Sequence, residues 1–463
     1  MKRIAMGMTK KAFKYDMQRG LGSCVLELQS TQDIEKYRPL VLWGCSRDMA
    51  YDAQCEGCRS VYLYQLITQF PDHMSFIDIL EKRLYQSMRS RGWEFMQDCE
   101  ILSYFALDGE KRAWDIMKSC YRELFQILYR KRKPTKDGRL PERDNFESLC
   151  LTLVTMRPRM YRMLVSDIGI LIESNSLYSA SDFMWFQSVS ESNLGEKAVH
   201  RILYDPGADE RIKAYVRSME EGRERWERAG DERKKSEPQT ADEIYECLKK
   251  GGDSERVNRY QARRMMNQDR QQEVAKLAAY YRDEEEPELR YQLLRLLSDK
   301  ICVWALDIDR LIADSRSDYS GLAERAFDAL SHIRDSRVRQ YAYELLRDEK
   351  YQAEVISMLA ANYENEDREV FVHAVKQLSV TYENGGWHGA FSDVMDMFSG
   401  SGKHKPKELL PYMYRNTLCS FCREYVVREM GRRRMLTREL LEEMQYDCNS
   451  DIRAYAARRL RKG

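Results

Sequence analysis

Residues 335–346 read DSRVRQYAYELL, and versions of this segment return through the C-terminal half of the chain. Counted from Arg339 as position zero, an acidic residue stands four positions earlier, Asp335. An alanine stands three positions later, Ala342, and a leucine seven positions later, Leu346. Because an α-helix has 3.6 residues per turn, positions zero, +3 and +7 share one face. The segment therefore predicts an amphipathic helix that packs through this face.

The same arrangement, called the frame below, recurs at intervals of 30 to 52 residues. Intervals of this size are typical of helical-repeat solenoids. Phe replaces the arginine in one copy, and the acid is missing from another. The further copies are Glu286/Arg290/Leu293/Leu297, Asp367/Phe371/Ala374/Leu378, Cys419/Arg423/Val426/Met430, Asn449/Arg453/Ala456/Leu460 and the fainter Glu255/Arg259/Ala262/Met266. The sequence thus predicts an all-α fold, an α-solenoid of antiparallel helix pairs with a helical N-terminal region.

Composition agrees with a chain of amphipathic helices. Charged residues make up 33% of the 463 residues and hydrophobic residues 43%, against usual shares of about 25% and 45–50%. Only 10 prolines and 23 glycines interrupt the chain. The formal net charge of +1 indicates neither nucleic-acid nor acidic partners, so a preference of this kind has to come from local patterning.

The sequence also favours a cytoplasmic protein without a membrane segment. Residues 1–17 contain basic residues but lack the apolar core of a signal peptide, and no run of 18 apolar residues occurs. The 12 cysteines are scattered over helical positions, as expected of reduced thiols rather than a disulfide framework.

Breaks in the periodicity predict the domain organisation. A charged segment at 230–240 is expected to link an N-terminal helical region, 1–229, to a repeat domain, 241–463. The polar stretch 173–195 is expected to be partly irregular. The Gly-rich stretch 384–406 is expected to be a long loop inserted between repeats.

The frame resembles the second helix of HEAT repeats, in particular the bacterial PBS-lyase-like type, and the resemblance covers mainly the C-terminal half. In that family the acid and the arginine form a hydrogen-bonded ladder between neighbouring repeats. The resemblance implies that the ladder uses Asp335 and Arg339, Glu286 and Arg290, and Asn449 and Arg453. Phe371 and Cys419 are expected to interrupt it. HEAT proteins host many unrelated activities, so the resemblance implies an architecture rather than a function.

Two other frame positions, +2 and +5, are predicted to face solvent. In HEAT-like solenoids this side lines the concave surface, where basic and aromatic side chains suit phosphate groups, stacked bases or an acidic peptide. The alternative is that Arg and Lys are simply good surface helix formers. At +5 stand Arg264, Arg295, Glu344, Lys376, Arg428 and Arg458, and at +2 stand Gln261, Gln292, Tyr341, His373, Tyr425 and Tyr455. The predicted binding residues are the five cations together with Tyr341, Tyr425 and Tyr455.

Metal and cofactor motifs are weak in this sequence. Cys55/Cys58 and Cys419/Cys422 both have Cys-x-x-Cys spacing, and two such pairs at close spacing would predict a zinc site. They stand far apart in the chain and have no neighbouring histidine pattern, so independent structural cysteines are expected. Gly400 to Lys403 resembles the end of a phosphate loop but lacks its upstream glycine. We expect no metal, no cofactor and no catalytic residue.

These observations favour a non-catalytic scaffold or adaptor that binds a macromolecular partner, a protein or acidic peptide, along the solenoid. The alternative is a nucleic-acid-binding or processing protein similar to the HEAT-like DNA glycosylases. Those enzymes combine a basic groove with aromatic residues and an acid near the target nucleotide. The tyrosines beside the +5 cations motivate this alternative, although no single aspartate can be assigned the catalytic role.

Overall fold

The computed structural model describes residues 7–90, 93–130, 133, 140–235, 240–250, 271–298, 302–383, 385–399 and 405–461. Within these ranges all regular structure is helical, with α-helices, short 3-10 helices and no strand. The predicted fold class, an all-α solenoid of helix pairs, is confirmed. None of the described helices combines the length and the apolar character needed to cross a lipid bilayer.

The first half of the chain forms helices α1 to α13. Their bounds are Lys10–Arg19, Ser23–Ser30, Arg38–Cys45, Ala53–Glu56, Ser60–Ile67, Met74–Ser87, Glu94–Leu107, Lys111–Arg130, Pro141–Met156, Tyr161–Ser174, Met184–Leu194, Glu196–Leu203 and Glu210–Lys235. Helices α14 to α26 follow. They span Ala241–Lys249, Gln271–Asp283, Pro287–Leu297, Ile308–Asp314, Ser320–Ser331, Ser336–Leu345, Gln352–Ala361, Arg368–Gln377, Gly386–Ser399, Leu409–Asn416, Ser420–Arg432, Arg438–Met444 and Ser450–Leu460.

The contacts divide the chain into two compact units. Unit 1 comprises Met1–Arg233, Leu418–Glu424 and Leu436–Gly463, and unit 2 comprises Lys234–Thr417 and Tyr425–Met435. The first border falls inside α13, because this helix continues through Lys235, where the sequence predicted a linker. Two C-terminal segments that the sequence assigned to the repeat domain belong to unit 1.

In unit 1, successive helices bury one face each. Helix α8 shows the pattern, with Ala113, Met117, Cys120, Leu124 and Leu128 buried at intervals of three or four residues. It packs against α7 and α9, and α9 packs against α11. The result is one continuous apolar core through the N-terminal helices.

The C-terminal part of unit 1 contacts the first two helices directly. The Cys448 N–H donates to the Gly20 carbonyl over 2.8 Å. Gly22 lies so close to the backbone of α25 that a Cβ atom there would be 1.9 Å from the Glu443 carbonyl oxygen. Segments more than 400 residues apart thus share one core.

Two helices of unit 2, α17 and α19, begin at aspartate caps. The Asp335 carboxylate accepts the Arg337 N–H at the start of α19 (2.9 Å), and Asp307 does the same for Arg310 at the start of α17 (2.8 Å). A carboxylate at this position satisfies a free N–H and meets the positive end of the helix dipole. Helix α18 packs against α16, α17 and α20, and α20 packs against α19 and α22.

The stretch 173–195 is partly irregular, as expected, because residues 175–179 lie outside any helix before Met184–Leu194 form α11. The stretch 384–406, in contrast, contains a helix where a loop was expected. Within 384–406, residues Gly386–Ser399 form α22, which buries Trp387, Phe391 and Phe398. The apolar residues of α22 recur at helical spacing, and their burial outweighs the low helix propensity of its glycines. Trp387 is therefore an anchor in the core, and its Nε1–H donates to the Thr381 carbonyl over 2.9 Å.

Candidate functional site

Arginines at frame position zero are used inside the fold. Each of three reaches an aspartate that lies 24 or 28 residues later in the chain. The pairs are Arg290 with Asp314 at 3.4 Å, Arg339 with Asp367 at 2.6 Å and Arg423 with Asp447 at 2.9 Å. These contacts join consecutive helical layers, so we call them the ladder pairs.

The ladder differs from the expected one in its acids. Asp335 caps its own helix and pairs with Arg337, while Arg339 reaches the acid of the next copy, Asp367. That copy has Phe371 at position zero, yet its acid still takes part. The copy that begins at Cys419 is not interrupted either, because Arg423 reaches Asp447. The aspartate that pairs with each of these arginines belongs to the neighbouring layer. The spacing of residues within one copy of the frame therefore does not identify it.

Asp367 shows the electrostatics of a ladder pair. Its side chain is buried, which raises the pKa of the carboxyl, but hydrogen bonds from Arg339, Tyr343 and the Glu364 N–H outweigh burial and hold the pKa below its usual value. The Tyr343 hydroxyl donates to Asp367 over 2.5 Å. Burial and this bond to a carboxylate raise the pKa of Tyr343 to about 12. Asp367 is therefore a stable anion that holds two layers together.

The +5 cations have a different environment. Lys376, Arg428 and Arg458 are exposed on α21, α24 and α26. Arg295 is half-buried, with its guanidinium carbon 5.5 Å from the centre of the Tyr291 ring. Arg264 lies outside the described residues. Among the described +5 cations, the three on the last frame helices are thus the ones presented to solvent.

The three predicted tyrosines do not behave alike. Tyr425 is 64% exposed, but Tyr341 is only 2% exposed, which corrects the prediction that it faces solvent. The Tyr341 hydroxyl lies 2.8 Å from the Ser315 Oγ. Tyr455 is half-buried, and its hydroxyl accepts a hydrogen bond from the Arg459 Nη2 over 2.9 Å.

Tyr341 is covered because the chain is enlarged between two frame helices. The extra helix α17 ends at Asp314, and Ser315 follows it directly. The Phe327 ring of α18 stacks on the Tyr341 ring with centres 6.4 Å apart. The predicted binding residues are also distributed over both units, since Arg458 and Tyr455 belong to unit 1 and the other described ones to unit 2.

An open pocket of about 390 Å³ lies in unit 2 at the ends of α18 and α20 and along α22. The turn after α18 contributes His332 and Arg334, and α22 contributes Asp393 and Asp396. Charges of both signs line it, so its electrostatics favour neither an anion nor a cation. No sequence pattern predicts this pocket, because its walls come from three separate segments.

The two Cys-x-x-Cys motifs meet in unit 1. Glu56 lies between Cys55 and Cys58, and its Oε2 accepts the N–H of Ser420 over 2.8 Å. Arg59 donates through Nη2 to the Leu418 carbonyl over 2.7 Å. Glu56 and Arg59 are also paired with each other at 3.5 Å. These bonds fix the segment 55–59 against the segment 418–420.

The two motifs, far apart in the chain, thus lie on segments that are in contact within unit 1. The sulfur atoms of Cys419 and Cys422 lie within 4.8 Å of each other. Cys55 is exposed, and it lies near enough to Cys419 for a charge there to raise the Cys55 pKa, although the main cause of that rise is a hydrogen bond with Asp52. The Cys58 thiol is directed to the Trp93 carbonyl, 3.7 Å away. Separation in the chain concealed the contact of these two segments through Glu56 and Arg59.

Neither a protein-family model nor a curated protein sequence matches this chain. Among solved structures, a crystal structure described as an engineered protein shares 14% sequence identity, covers 95% of this chain and 98% of its own, and has a TM-score of 0.22. The crystal structure of SYS-1 shares 10% identity, covers 97% of this chain and 96% of its own, and has a TM-score of 0.26. At TM-scores this low, these similarities carry no argument about function.

Proposed function

We propose that this protein is a non-catalytic scaffold or adaptor that binds an acidic segment of a partner protein through the exposed side of its frame helices. The observation that supports the proposal is the contrast between two sets of cations. Three position-zero arginines, Arg290, Arg339 and Arg423, are paired with buried aspartates, whereas Lys376, Arg428 and Arg458 are exposed. Lys376 and Arg458 form no ion pair within the described part of the chain.

Exposed cations of this kind fit a partner that supplies carboxylates. Each contact between exposed charges contributes little by itself, about 0.2–1 kcal/mol, so binding requires several contacts along one segment. Salt screens such contacts over about 8 Å at physiological ionic strength. Binding that weakens as salt rises is therefore expected.

The test is fluorescence anisotropy with a labelled Glu-rich peptide at low and physiological salt. The double variant Lys376→Glu/Arg428→Glu is expected to bind about tenfold more weakly, a loss of about 1.4 kcal/mol. The matched control is Lys197→Glu/Arg201→Glu on α12, where both cations are also exposed. Equal weakening in both variants would show a general charge effect and contradict the proposal.

A second candidate is single-stranded nucleic-acid binding, and Tyr425 is the observation that favours it. Its ring is 64% exposed and stands three residues before Arg428, on the same side of α24. Aromatic stacking beside a cation is the usual arrangement in such proteins, worth about 1–3 kcal/mol per base. Tyr341 is buried, so only Tyr425 and Tyr455 remain of the three tyrosines that motivated the comparison with DNA glycosylases.

Oligonucleotide binding at two salt concentrations tests this candidate. Tyr425→Ala is expected to weaken binding severalfold, whereas Tyr204→Ala, which removes another exposed tyrosine, is expected to have no effect. Absence of oligonucleotide binding at low salt would contradict this second candidate function. Detectable binding would make a glycosylase assay on methylated duplex DNA the next measurement.

A cytoplasmic location accords with this role. None of the 12 cysteines, all of which are among the described residues, forms a disulfide, as in proteins of reducing compartments. Fractionation of cells that produce the tagged protein tests this location, and recovery with the secreted fraction would contradict it.

A further inference from the structure

We propose that Cys419 and Cys422 form a redox-active dithiol, which acquires a reversible disulfide bond by exchange with a small-molecule disulfide such as oxidised glutathione. The proposal is independent of the binding function above, because neither cysteine belongs to the +5 cations. Both lie in one contiguous segment of unit 1, Leu418–Glu424. The proposal rests on the position of this Cys-x-x-Cys motif at the start of a helix and on the contact between its two thiols.

The start of α24 brings the two side chains together. The Arg423 N–H donates to the Cys419 carbonyl over 3.1 Å, and Ser420 is the first helical residue. Cys419 therefore occupies the N-cap position and Cys422 the third position of the helix. Side chains at these two positions meet over the first turn, as they do in a capping box.

The distance between the two cysteines suits a disulfide. Their sulfur atoms lie within 4.8 Å of each other, and Cys422 forms a side-chain hydrogen bond with Cys419. Residues three apart in a helical turn have Cα atoms about 5 Å apart, inside the range of about 4.4–6.8 Å that disulfides span. A rotation of the two side chains therefore brings the sulfur atoms into bonding distance.

The two sulfur atoms differ in their access to solvent. Cys419 is only 4% exposed, whereas Cys422 is half-buried, so Cys422 is the thiol that an external disulfide reaches. Its hydrogen bond with Cys419 and its burial raise the pKa of the Cys422 thiol, and Arg423 opposes part of this effect. The attack therefore proceeds through a small thiolate fraction, and it is expected to take minutes to hours, as uncatalysed exchange does.

The exchange consists of two steps. The Cys422 thiol gives its proton to solvent, and its thiolate attacks one sulfur of oxidised glutathione. A bond between Cys422 and glutathione forms, the disulfide bond of the reagent breaks, and one glutathione thiolate leaves. The Cys419 thiol then loses its proton, and its thiolate attacks the Cys422 Sγ and displaces the second glutathione. The two released thiolates take up the two protons, so the protein is oxidised by two electrons and the reagent is reduced by two.

The backbone on both sides of the pair is fixed within unit 1. The Leu418 carbonyl accepts a hydrogen bond from Arg59 over 2.7 Å, and the Ser420 N–H donates to Glu56 over 2.8 Å. Arg423 is held by its ion pair with a buried aspartate. Two thiols held side by side react with each other at a high effective concentration. The second step is therefore favoured over a lasting glutathione adduct.

The test follows one tryptic peptide. Cleavage after Arg415 and Arg423 releases residues 416–423, whose only cysteines are Cys419 and Cys422. The full chain is incubated with mixtures of oxidised and reduced glutathione, quenched with acid, alkylated and digested, and the peptide is analysed by mass spectrometry. The expected product lacks both alkyl groups and two hydrogen atoms. Its fraction is expected to rise with the share of oxidised glutathione and to disappear after treatment with dithiothreitol.

Two results would overturn the proposal. One is a peptide that remains doubly alkylated in every glutathione mixture, which would show that the two thiols do not exchange. The other is a peptide that accumulates glutathione adducts without the internal disulfide, which would show that the second thiol does not reach the first. Cys247, a half-buried cysteine of unit 2, is the internal reference and is expected to form a glutathione adduct.

Serine variants identify the attacking thiol. Cys419→Ser is expected to accumulate an adduct of Cys422 with glutathione, because the second thiol is absent. Serine is a favoured N-cap residue, so this variant is expected to keep its helical circular dichroism. Cys422→Ser is expected to form at least about tenfold less adduct in the same peptide, since the remaining thiol is buried. Equal adduct formation in the two variants would contradict the proposed order of attack.

Discussion

At the scale of single residues, the Arg423–Asp447 pair is a fully buried ion pair of unit 1. Both side chains are fully buried, and two bonds of 2.9 Å join the guanidinium to the two carboxylate oxygens. The same carboxylate accepts the Asn449 N–H over 2.9 Å. A buried pair of this geometry is tolerated because each charge is matched, and removing one partner leaves the other without compensation.

Asp447→Asn is therefore expected to lower the free energy of unfolding of unit 1 by about 3–5 kcal/mol. Urea denaturation followed by circular dichroism measures the change. The control is Glu344→Gln, which removes the partner of Arg316 in an exposed pair at 3.2 Å and is expected to cost less than about 1 kcal/mol. Similar losses of unfolding free energy in the two variants would show that burial does not make the Arg423–Asp447 pair more stabilising than an exposed pair.

Glu147 predicts a pH dependence of stability. Burial raises the pKa of this carboxyl from 4.5 to about 7, against the opposing effect of hydrogen bonds from the Phe186 and Trp185 N–H groups. The folded protein therefore holds a proton that the unfolded chain has already lost between these two pH values. Over this interval, stability falls as pH rises.

Glu147→Gln keeps an oxygen for the Phe186 N–H, which lies 3.1 Å away, and removes the titration. Relative to the unaltered protein, this variant is expected to gain stability from pH 4.5 to pH 7, by at most about 3 kcal/mol. Denaturation midpoints at a series of pH values check it. A stability difference that stays constant with pH would contradict the assignment.

At the scale of elements, the packing of α10 on α13 depends on one glycine. A Cβ atom on Gly169 would lie 1.9 Å from the backbone oxygen of Arg211, so no side chain fits between the two helices. Gly222, in the exposed half of α13, has no neighbouring atom within 4 Å of such a Cβ. The two positions separate the steric role of glycine from its low helix propensity.

Gly169→Ala is expected to destabilise unit 1 by about 1–3 kcal/mol, because the two backbones must move apart. Gly222→Ala is expected to stabilise α13 by about 0.5–1 kcal/mol. Thermal unfolding of both variants provides the measurement. Stabilisation by Gly169→Ala would disprove the close approach of these helices.

At the scale of the whole molecule, the C-terminal segments belong to the unit that begins the chain. The Cys448 N–H binds the Gly20 carbonyl, and Arg59 binds the Leu418 carbonyl. Deletion of residues 436–463 is therefore expected to expose the core that α1 and α2 share with α25.

Hydrogen exchange followed by mass spectrometry tests this expectation. In the deleted protein, amides of residues 10–30 are expected to exchange at least about tenfold faster, since local stability falls by more than about 1.4 kcal/mol. Amides of residues 320–361, in unit 2, serve as the internal reference and should keep their rates. Unchanged protection at 10–30 would contradict the composition of unit 1.

The sequence by itself determined the helical class and many element positions. The spacing within 335–346 predicted the helix Ser336–Leu345 and the burial of Ala342, because helix periodicity is a local property. Arg339 and Leu346, which were predicted to share that buried face, are only half-buried. The pattern also identified Lys376, Arg428 and Tyr425 as outward-facing residues. Local patterning failed at Tyr341, since a residue's exposure also depends on what an inserted helix places over it.

Only the tertiary structure decided which distant segments meet. The ladder partner of Arg339 is supplied by the next copy, the C-terminal helices complete the N-terminal unit, and the two cysteine motifs face each other through Glu56 and Arg59. The physical reason is that such contacts follow from how whole layers stack, which depends on the summed packing of many side chains. The spacing of residues along the chain predicts helices, but it does not predict which helical layers pack against each other.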